Sequence, residues 1–238
     1  MHVPLTHEGW VELEEVQSTQ DHLIRSLQED FEHSPDVVFT WSQTKGRGRF
    51  DREWVSRPHT SIAMSMAFKK YADCPTPWLI GMSVAVAAAS LLHCKVQWPN
   101  DLTLHGKKLG GVLTQMIRTN HQTFIPVVGI GINVLRGSFP EELSHQAISL
   151  EECRPGPYDL KKMAQSLVEK LKEMPEPTSW SMLQPIWMLF DATPGKKYKL
   201  PKGDVLEAIG IGSEGELIGS FGGEIQTVMA AEALDFLT

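Results

Sequence analysis

Cysteine is scarce in this sequence. Cys74, Cys94 and Cys153 are spread along 238 residues with no CxxC pair. An odd, scattered set excludes a disulfide framework and a zinc ribbon and suits a reducing, cytoplasmic setting. Basic charge is also short: 22 Lys and Arg stand against 29 Asp and Glu, for a formal charge of −7. Such a balance argues against general nucleic-acid binding, which needs a basic surface. Long apolar runs are missing too. The most apolar stretch, Leu79–Leu92, is Ala-rich and broken by Gly81, Ser83 and Ser90. It falls short of the roughly 18 residues of a membrane span and reads as a buried core helix. Met1–Glu15 has no basic-then-apolar signal pattern. Neither internal repeats nor a low-complexity tract outside the glycine-rich tail is present.

Hydrophobic patterning supplies the elements. Val11–Val16 reads as a weak strand. Ser18, with Asp21 three residues on, has the form of a helix N-cap, and the helix runs to about Glu29. Asp36–Trp41 and Ser61–Phe68 read as strands, with a polar, basic, glycine-bearing loop over Ser42–Ser56 between them. Trp78–Leu92 is the apolar helix, followed by a short strand, Lys95–Trp98, that Pro99 stops. Asn100-Asp101 is turn chemistry. Leu102–Leu104 and Leu109–Arg118, joined at His105-Gly106, form a hairpin, and Phe124–Leu135 is a last long strand. Asp159–Leu171 and Thr178–Phe190 are amphipathic helices. From Lys196 the pattern changes to short strands separated by glycines, with a boundary near Asp191–Gly195. The expected organisation is a domain over 1–190 and a small β unit over 191–238. Tight turns between strands imply an α+β fold with a mixed, mostly antiparallel sheet and helices on one side.

Four segments carry candidate chemistry. From Gln43 to Arg57 five cations (45, 47, 49, 52, 57) meet two anions (51, 53), an excess of three in a chain that is otherwise acidic. A local basic loop of this kind suits a small anionic ligand. Glycines at 46 and 48 let backbone N–H groups approach oxygens, and arginines pair with phosphate or carboxylate in bidentate geometry. A solvated surface loop is the competing reading. Gln97-Trp98-Pro99-Asn100-Asp101-Leu102 alone is a strand ending in a turn. Gly106–Leu113 holds paired glycines inside a strand, the mark of a bulge or a close backbone approach, or simply a tight hairpin. Val128–Val134 carries Gly129, Gly131 and Asn133 on one face. Two glycines strip that face and leave a slot, whether for a ligand or for a packed helix.

Taken together, the segments resemble one family, the biotin–protein ligases. The family's marks are a Ser-Thr pair opening the first helix, a GRGRxxRxW loop, a WPND turn, a K-[LV]-x-G-[IV]-L strand and a GxGIN strand. This chain has Ser18-Thr19, Gly46–Trp54, Trp98–Asp101, Lys108–Leu113 and Gly129–Asn133, in that order. The resemblance is strong over about residues 10–135. It implies a class II synthetase-like α+β fold with a small C-terminal SH3-like barrel. The implied activity is ATP- and Mg²⁺-dependent conversion of biotin to biotinoyl-5′-AMP, then transfer to a lysine of a biotin carboxyl carrier protein or carboxylase domain.

Residue roles follow from the same resemblance. Gly46, Arg47, Gly48 and Arg49 match the loop that closes over biotin and the adenylate, with Arg49 nearest the phosphate and Arg52 in support. Ser18, Thr19 and Gln20 match the lining of the ureido end of biotin, and Gln43 a further biotin contact. Lys108 matches the essential acyl–phosphate lysine. Gly111, Gly129 and Gly131 match the glycines beside the biotin rings. Asn100, Asp101 and Asn133 match positions around ATP, with Asp101 the candidate Mg²⁺ ligand. Departures are Gln20 for the common Asn, Phe50-Asp51 for Arg-Gly, Gln97 for Lys, and a short tail. An RRxSGGG-type segment, the mark of lipoate–protein ligases, is missing, although lipoate/octanoate ligation remains the nearest rival. The pattern begins near Val11, so no N-terminal helix-turn-helix and no direct DNA binding are expected. Retention of Arg49, Lys108 and Asn133 speaks against a non-catalytic biotin-binding module. An exposed sheet edge suits either a homodimer or a carrier complex.

Overall fold

The computed structural model describes residues 5–7, 9–200, 203–229 and 235–237. In chain order the elements are β1 (Leu5–His7), β2 (Trp10–Val16), α1 (Thr19–Glu29), β3 (Val37–Gln43), β4 (Gly46–Arg47), β5 (Glu53–Trp54), β6 (Ser61–Ala67) and α2 (Pro77–Leu92). The chain continues through β7 (Lys95–Gln97), β8 (Asp101–Leu104), β9 (Lys107–Arg118), β10 (Phe124–Asn133), α3 (Leu150–Cys153), α4 (Leu160–Lys172) and α5 (Trp180–Phe190). It ends in β11 (Lys197–Lys199), β12 (Val205–Ile211), β13 (Leu217–Phe221), β14 (Glu224–Val228) and β15 (Asp235–Leu237).

The main sheet has the order β1-β2-β3-β6-β10-β9-β8-β7. Among the strands of the described residues, only β2 and β3 pair in parallel; α1 supplies the crossover that a parallel pair requires. Ser18 caps α1, its side chain accepting from the Asp21 amide. His105 and Gly106, both at positive φ (51° and 78°), close the β8–β9 hairpin as a primed turn does. The mixed, mostly antiparallel α+β sheet read from the sequence is the one observed.

Strand alternation divides the sheet into two faces. Phe39, Met64, Met66, Val128, Ile130 and Ile132 join the larger core with α2 and α4. Val38, Ala67, Ile125 and Val127 join a smaller core with Leu23 and Leu27 of α1. The helices are therefore not all on one side. The sequence shows α1 as one amphipathic helix but does not say which strand parity its apolar stripe meets.

Two further differences concern loops. The segment 42–56 contains a β4–β5 ribbon and a 3-10 turn over Arg49–Asp51, where a plain loop is expected from its polar composition. Short α3 was not visible in the pattern, because four residues carry no period; Ser149 and Glu152 form its capping box.

Among the described residues, strands β14-β13-β12-β11-β15 make a second, antiparallel sheet. It grips the turn after β7 through Trp98, which is fully buried. The Trp98 amide donates to Thr193 Oγ1 (2.9 Å), its Nε1 to the Gly215 carbonyl (2.8 Å), and Tyr198 OH to the Trp98 carbonyl (2.8 Å). No helix among the described residues is long and apolar enough to cross a membrane.

Candidate active site

A cavity of about 290 Å³ opens on the α1 side of the main sheet. Its floor is β10, where Gly129 pairs with Ser65 of β6 and Gly131 pairs with Gly111 of β9. Side chains are thus missing from adjacent strands at the same level, and the slot follows from that register. The slot is partly filled from above. A Cβ at Gly131 would lie 2.6 Å from the indole of Trp54, and one at Gly129 would lie 2.9 Å from Gln20 Oε1.

At one end stands the N-terminus of α1. The Thr19 amide and hydroxyl both donate to Gln43 Oε1 (2.8 and 3.1 Å), and the Thr19 hydroxyl lies 2.9 Å from that of Ser65. Gln20 donates through Nε2 to the Val127 carbonyl (3.1 Å). Its Oε1 is buried with no hydrogen-bond partner. A buried amide oxygen without a donor is costly, and here it faces the empty side of Gly129. The extra methylene relative to Asn lets the amide reach across to β10.

At the other end the charges gather. Lys108 Nζ and Asp101 Oδ1 form an ion pair at 2.6 Å, with the carboxylate nearly enclosed. The Lys108 backbone is fixed by residues 146–148: its amide donates to the Gln146 carbonyl (2.7 Å) and its carbonyl accepts from the Ile148 amide (2.9 Å). Asn100 is held by its Nδ2 on the Val112 carbonyl (2.7 Å) and offers Oδ1 to Arg49 Nη1 (3.3 Å). Burial pulls the Arg49 guanidinium below its ordinary pKa, Asp101 opposes that shift, and Arg52 adds to it. Arginine nevertheless stays charged. Asn133 donates through Nδ2 to the Ile148 carbonyl (3.4 Å), leaving a buried Oδ1 without a partner.

The basic loop roofs the cavity. Arg47 reaches back to Asp21 at the start of α1 (2.5 Å). Phe50 sits between arginines, with the Arg49 and Arg52 guanidinium carbons 4.6 and 5.9 Å from its ring centroid.

Of the residues singled out in the sequence, Ser18, Thr19, Gln20, Gln43, Arg47, Gly48, Arg49, Arg52, Asn100, Asp101, Lys108, Gly111, Gly129, Gly131 and Asn133 all line this one cavity. Gly46 does not. It pairs with Trp54 across the β4–β5 ribbon, where a Cβ would collide with the Trp54 carbonyl. The sequence reading gave no role to Trp54, Ser65, Phe139 or Tyr198, which line the cavity as well. Trp54 and Ser65 had a signal, the one at the end of the GRGR segment and the other a polar residue on the glycine-facing parity of β6. Tyr198 had none, because only the second sheet brings it here.

The description "Biotin/lipoate A/B protein ligase family" matches residues 13–133, the stretch that supplies most of this cavity's lining. The chain belongs to that family. Within it, the bifunctional ligase/repressor BirA of Bacillus spizizenii is 35% identical over 127 residues, covering 49% of this chain and 38% of that protein. The biotin–[acetyl-CoA-carboxylase] ligase of Mycobacterium tuberculosis is 29% identical over 178 residues, 69% of this chain and 64% of its own. Both family members thus extend beyond what this chain covers. Among solved structures, the biotin protein ligase of Aquifex aeolicus in complex with biotin and ATP superposes with a TM-score of 0.73 at 25% identity, covering 94% of this chain and 97% of that one.

Proposed function

We propose that this protein activates biotin with ATP to biotinoyl-5′-AMP and pyrophosphate. It then transfers the biotinoyl group to a lysine of a biotin carboxyl carrier protein or carboxylase domain. The observation that carries this reading is the polarity of one continuous cavity. A glycine slot with an unpartnered amide acceptor, Gln20 Oε1, lies at one end, and Arg49, Asn100 and the Lys108–Asp101 pair lie at the other. A ureido ring needs an N–H acceptor in a narrow apolar slot, and a phosphoryl centre needs positioned cations.

The biotin carboxylate is ionised at neutral pH, so its attack on the α-phosphorus needs no general base. One C–O–P linkage forms as the bond to pyrophosphate breaks. Negative charge builds on the phosphoryl oxygens, and Arg49 and Lys108 are the cations fixed to meet it. In the second reaction a carrier amine attacks the acyl carbon and AMP departs. Asp101, beside Lys108, is the carboxylate in reach of the released proton. The Arg47–Asp21 contact ties the roof to α1 and would keep water from the mixed anhydride.

Among the described residues no three His, Cys, Asp or Glu side chains gather. That fits Mg²⁺, which takes one or two protein oxygens and the rest from substrate phosphates and water. Asp101 and the unpartnered Asn133 Oδ1 would hold it, and it would neutralise charge on the polyphosphate. Residues 191–238 would act as a small unit that braces the Trp98 turn from outside.

The test is pyrophosphate release from ATP with biotin, and with lipoate and octanoate as controls, without carrier. Release with biotin alone is expected. Release with lipoate or octanoate instead would transfer the protein to the other branch of its family, and no release with any acid would reject the activation chemistry.

A further inference from the structure

Phe50 occupies a place that the reaction does not explain. It lies in the roof loop, lines the cavity, and is still 41% exposed. Its backbone is left-handed (φ 55°, ψ 43°), a conformation that a bulky L-residue rarely adopts. Something must hold it there. The Arg49 guanidinium lies 4.6 Å from the ring centroid and that of Arg52 5.9 Å, both within cation–π range. Arg49 in turn reaches Asn100 of the turn after β7. A chain of contacts therefore runs from the roof to the phosphate end of the cavity, Phe50 to Arg49 to Asn100.

From this we infer that Phe50 is a positioning residue: its ring gathers Arg49 and Arg52 and holds the roof loop over the cavity. Two like charges on neighbouring side chains repel. An aromatic face lying against both offsets that repulsion and fixes where the guanidinium groups point. A loop that must order only on its ligand loses affinity to that ordering, and a loop already ordered does not. The second readout below rests on the ligase reading; the first does not.

The experiment uses the whole ligand-free protein. Trypsin cuts after Lys45, Arg47, Arg49 and Arg52, so the rate of cleavage in this loop reports how often it opens. Losing two partly exposed cation–π contacts should speed cleavage of Phe50→Leu about fivefold to thirtyfold, and Phe50→Tyr, which keeps the ring face, should restore the wild-type rate. Circular dichroism and thermal unfolding of both variants check that the fold survives. In pyrophosphate release, Phe50→Leu should raise the KM for ATP by a similar factor, and Phe50→Tyr should leave it at the wild-type value. Equal loop cleavage in wild type, Leu and Tyr variants would overturn the proposal. So would faster cleavage in both variants, because that would make the exact side chain, and not its aromatic face, the determinant. Should wild type release no pyrophosphate, the ligase reading fails while the cleavage comparison still decides the role of Phe50.

Discussion

Lys108 has two attachments, and they have different consequences. Its backbone is locked by residues 146–148, while its ammonium group pairs with Asp101 at the cavity wall. Removing the side chain therefore leaves the backbone hydrogen bonds in place and takes the counter-charge from Asp101. Lys108→Ala should cut biotin-dependent ATP–pyrophosphate exchange by about 10²–10³-fold, the size expected for a preorganised charge lost from a phosphoryl centre, with the fold retained by circular dichroism but the melting temperature lowered, because the nearly enclosed Asp101 carboxylate loses its counter-charge. Exchange near the wild-type rate would take Lys108 out of the mechanism. Gln20 is the reverse case. Its Nε2 serves the fold by satisfying the Val127 carbonyl, and its Oε1 serves nothing in the free protein. Gln20→Leu should weaken biotin binding, measured by calorimetry, by about 1–3 kcal/mol, and should lower stability because a buried carbonyl loses its donor. These residues were legible as chemistry because charge, amide and glycine in a fixed order leave few readings. What was not legible was which groups already have partners. That depends on strand register, and a sequence shows it only once the strands are paired.

Among the elements, β10 has the most demanding position. One face supplies Val128, Ile130 and Ile132 to the core, and the other must stay bare at Gly129 and Gly131. Gly131→Val should keep the β propensity of the strand while driving a side chain into the Trp54 indole, 2.6 Å from where the Cβ would sit. Biotin binding should be lost and the β4–β5 ribbon displaced, the latter visible as a change in Trp fluorescence; retained binding would mean that the slot lies elsewhere. Period-two alternation and turn residues sufficed to find β6, β9 and β10 in the sequence. They failed for β4, β5 and α3, each too short to show a period. They also failed for the side of the sheet that α1 occupies, which is settled by tertiary packing.

For the whole molecule the issue is coupling between the two sheets. Tyr198 belongs to the second sheet yet donates to the Trp98 carbonyl, one turn from Asn100 and Asp101. Tyr198→Phe should raise the KM for ATP about tenfold, for loss of the buried hydrogen bond to the Trp98 carbonyl, and leave biotin affinity untouched; an unchanged KM would reduce the second sheet to an appendage. The packed interior has a second consequence. Burial pushes the Cys94 thiol from 9.0 up to about 12. The folded protein keeps a proton that the unfolded chain releases above pH 9, so stability should fall as pH rises from about 9 towards 12. Urea midpoints over that range should show a slope that is smaller in Cys94→Ala; an equal slope in both would assign it to other groups. Neither coupling was written in the sequence. The glycine-rich tail showed strands and turns, but not that a lone tyrosine within it would cross to the site.

The Trp54 indole rests on Gly131 with its own Nε1 buried and unpartnered. Anything that enters the slot must exchange with this side chain or stack against it. Any measured affinity would then be a difference between two occupants of one place, the ligand and part of the protein. A tighter variant need not grip its ligand better; it need only let go of its own tryptophan more easily.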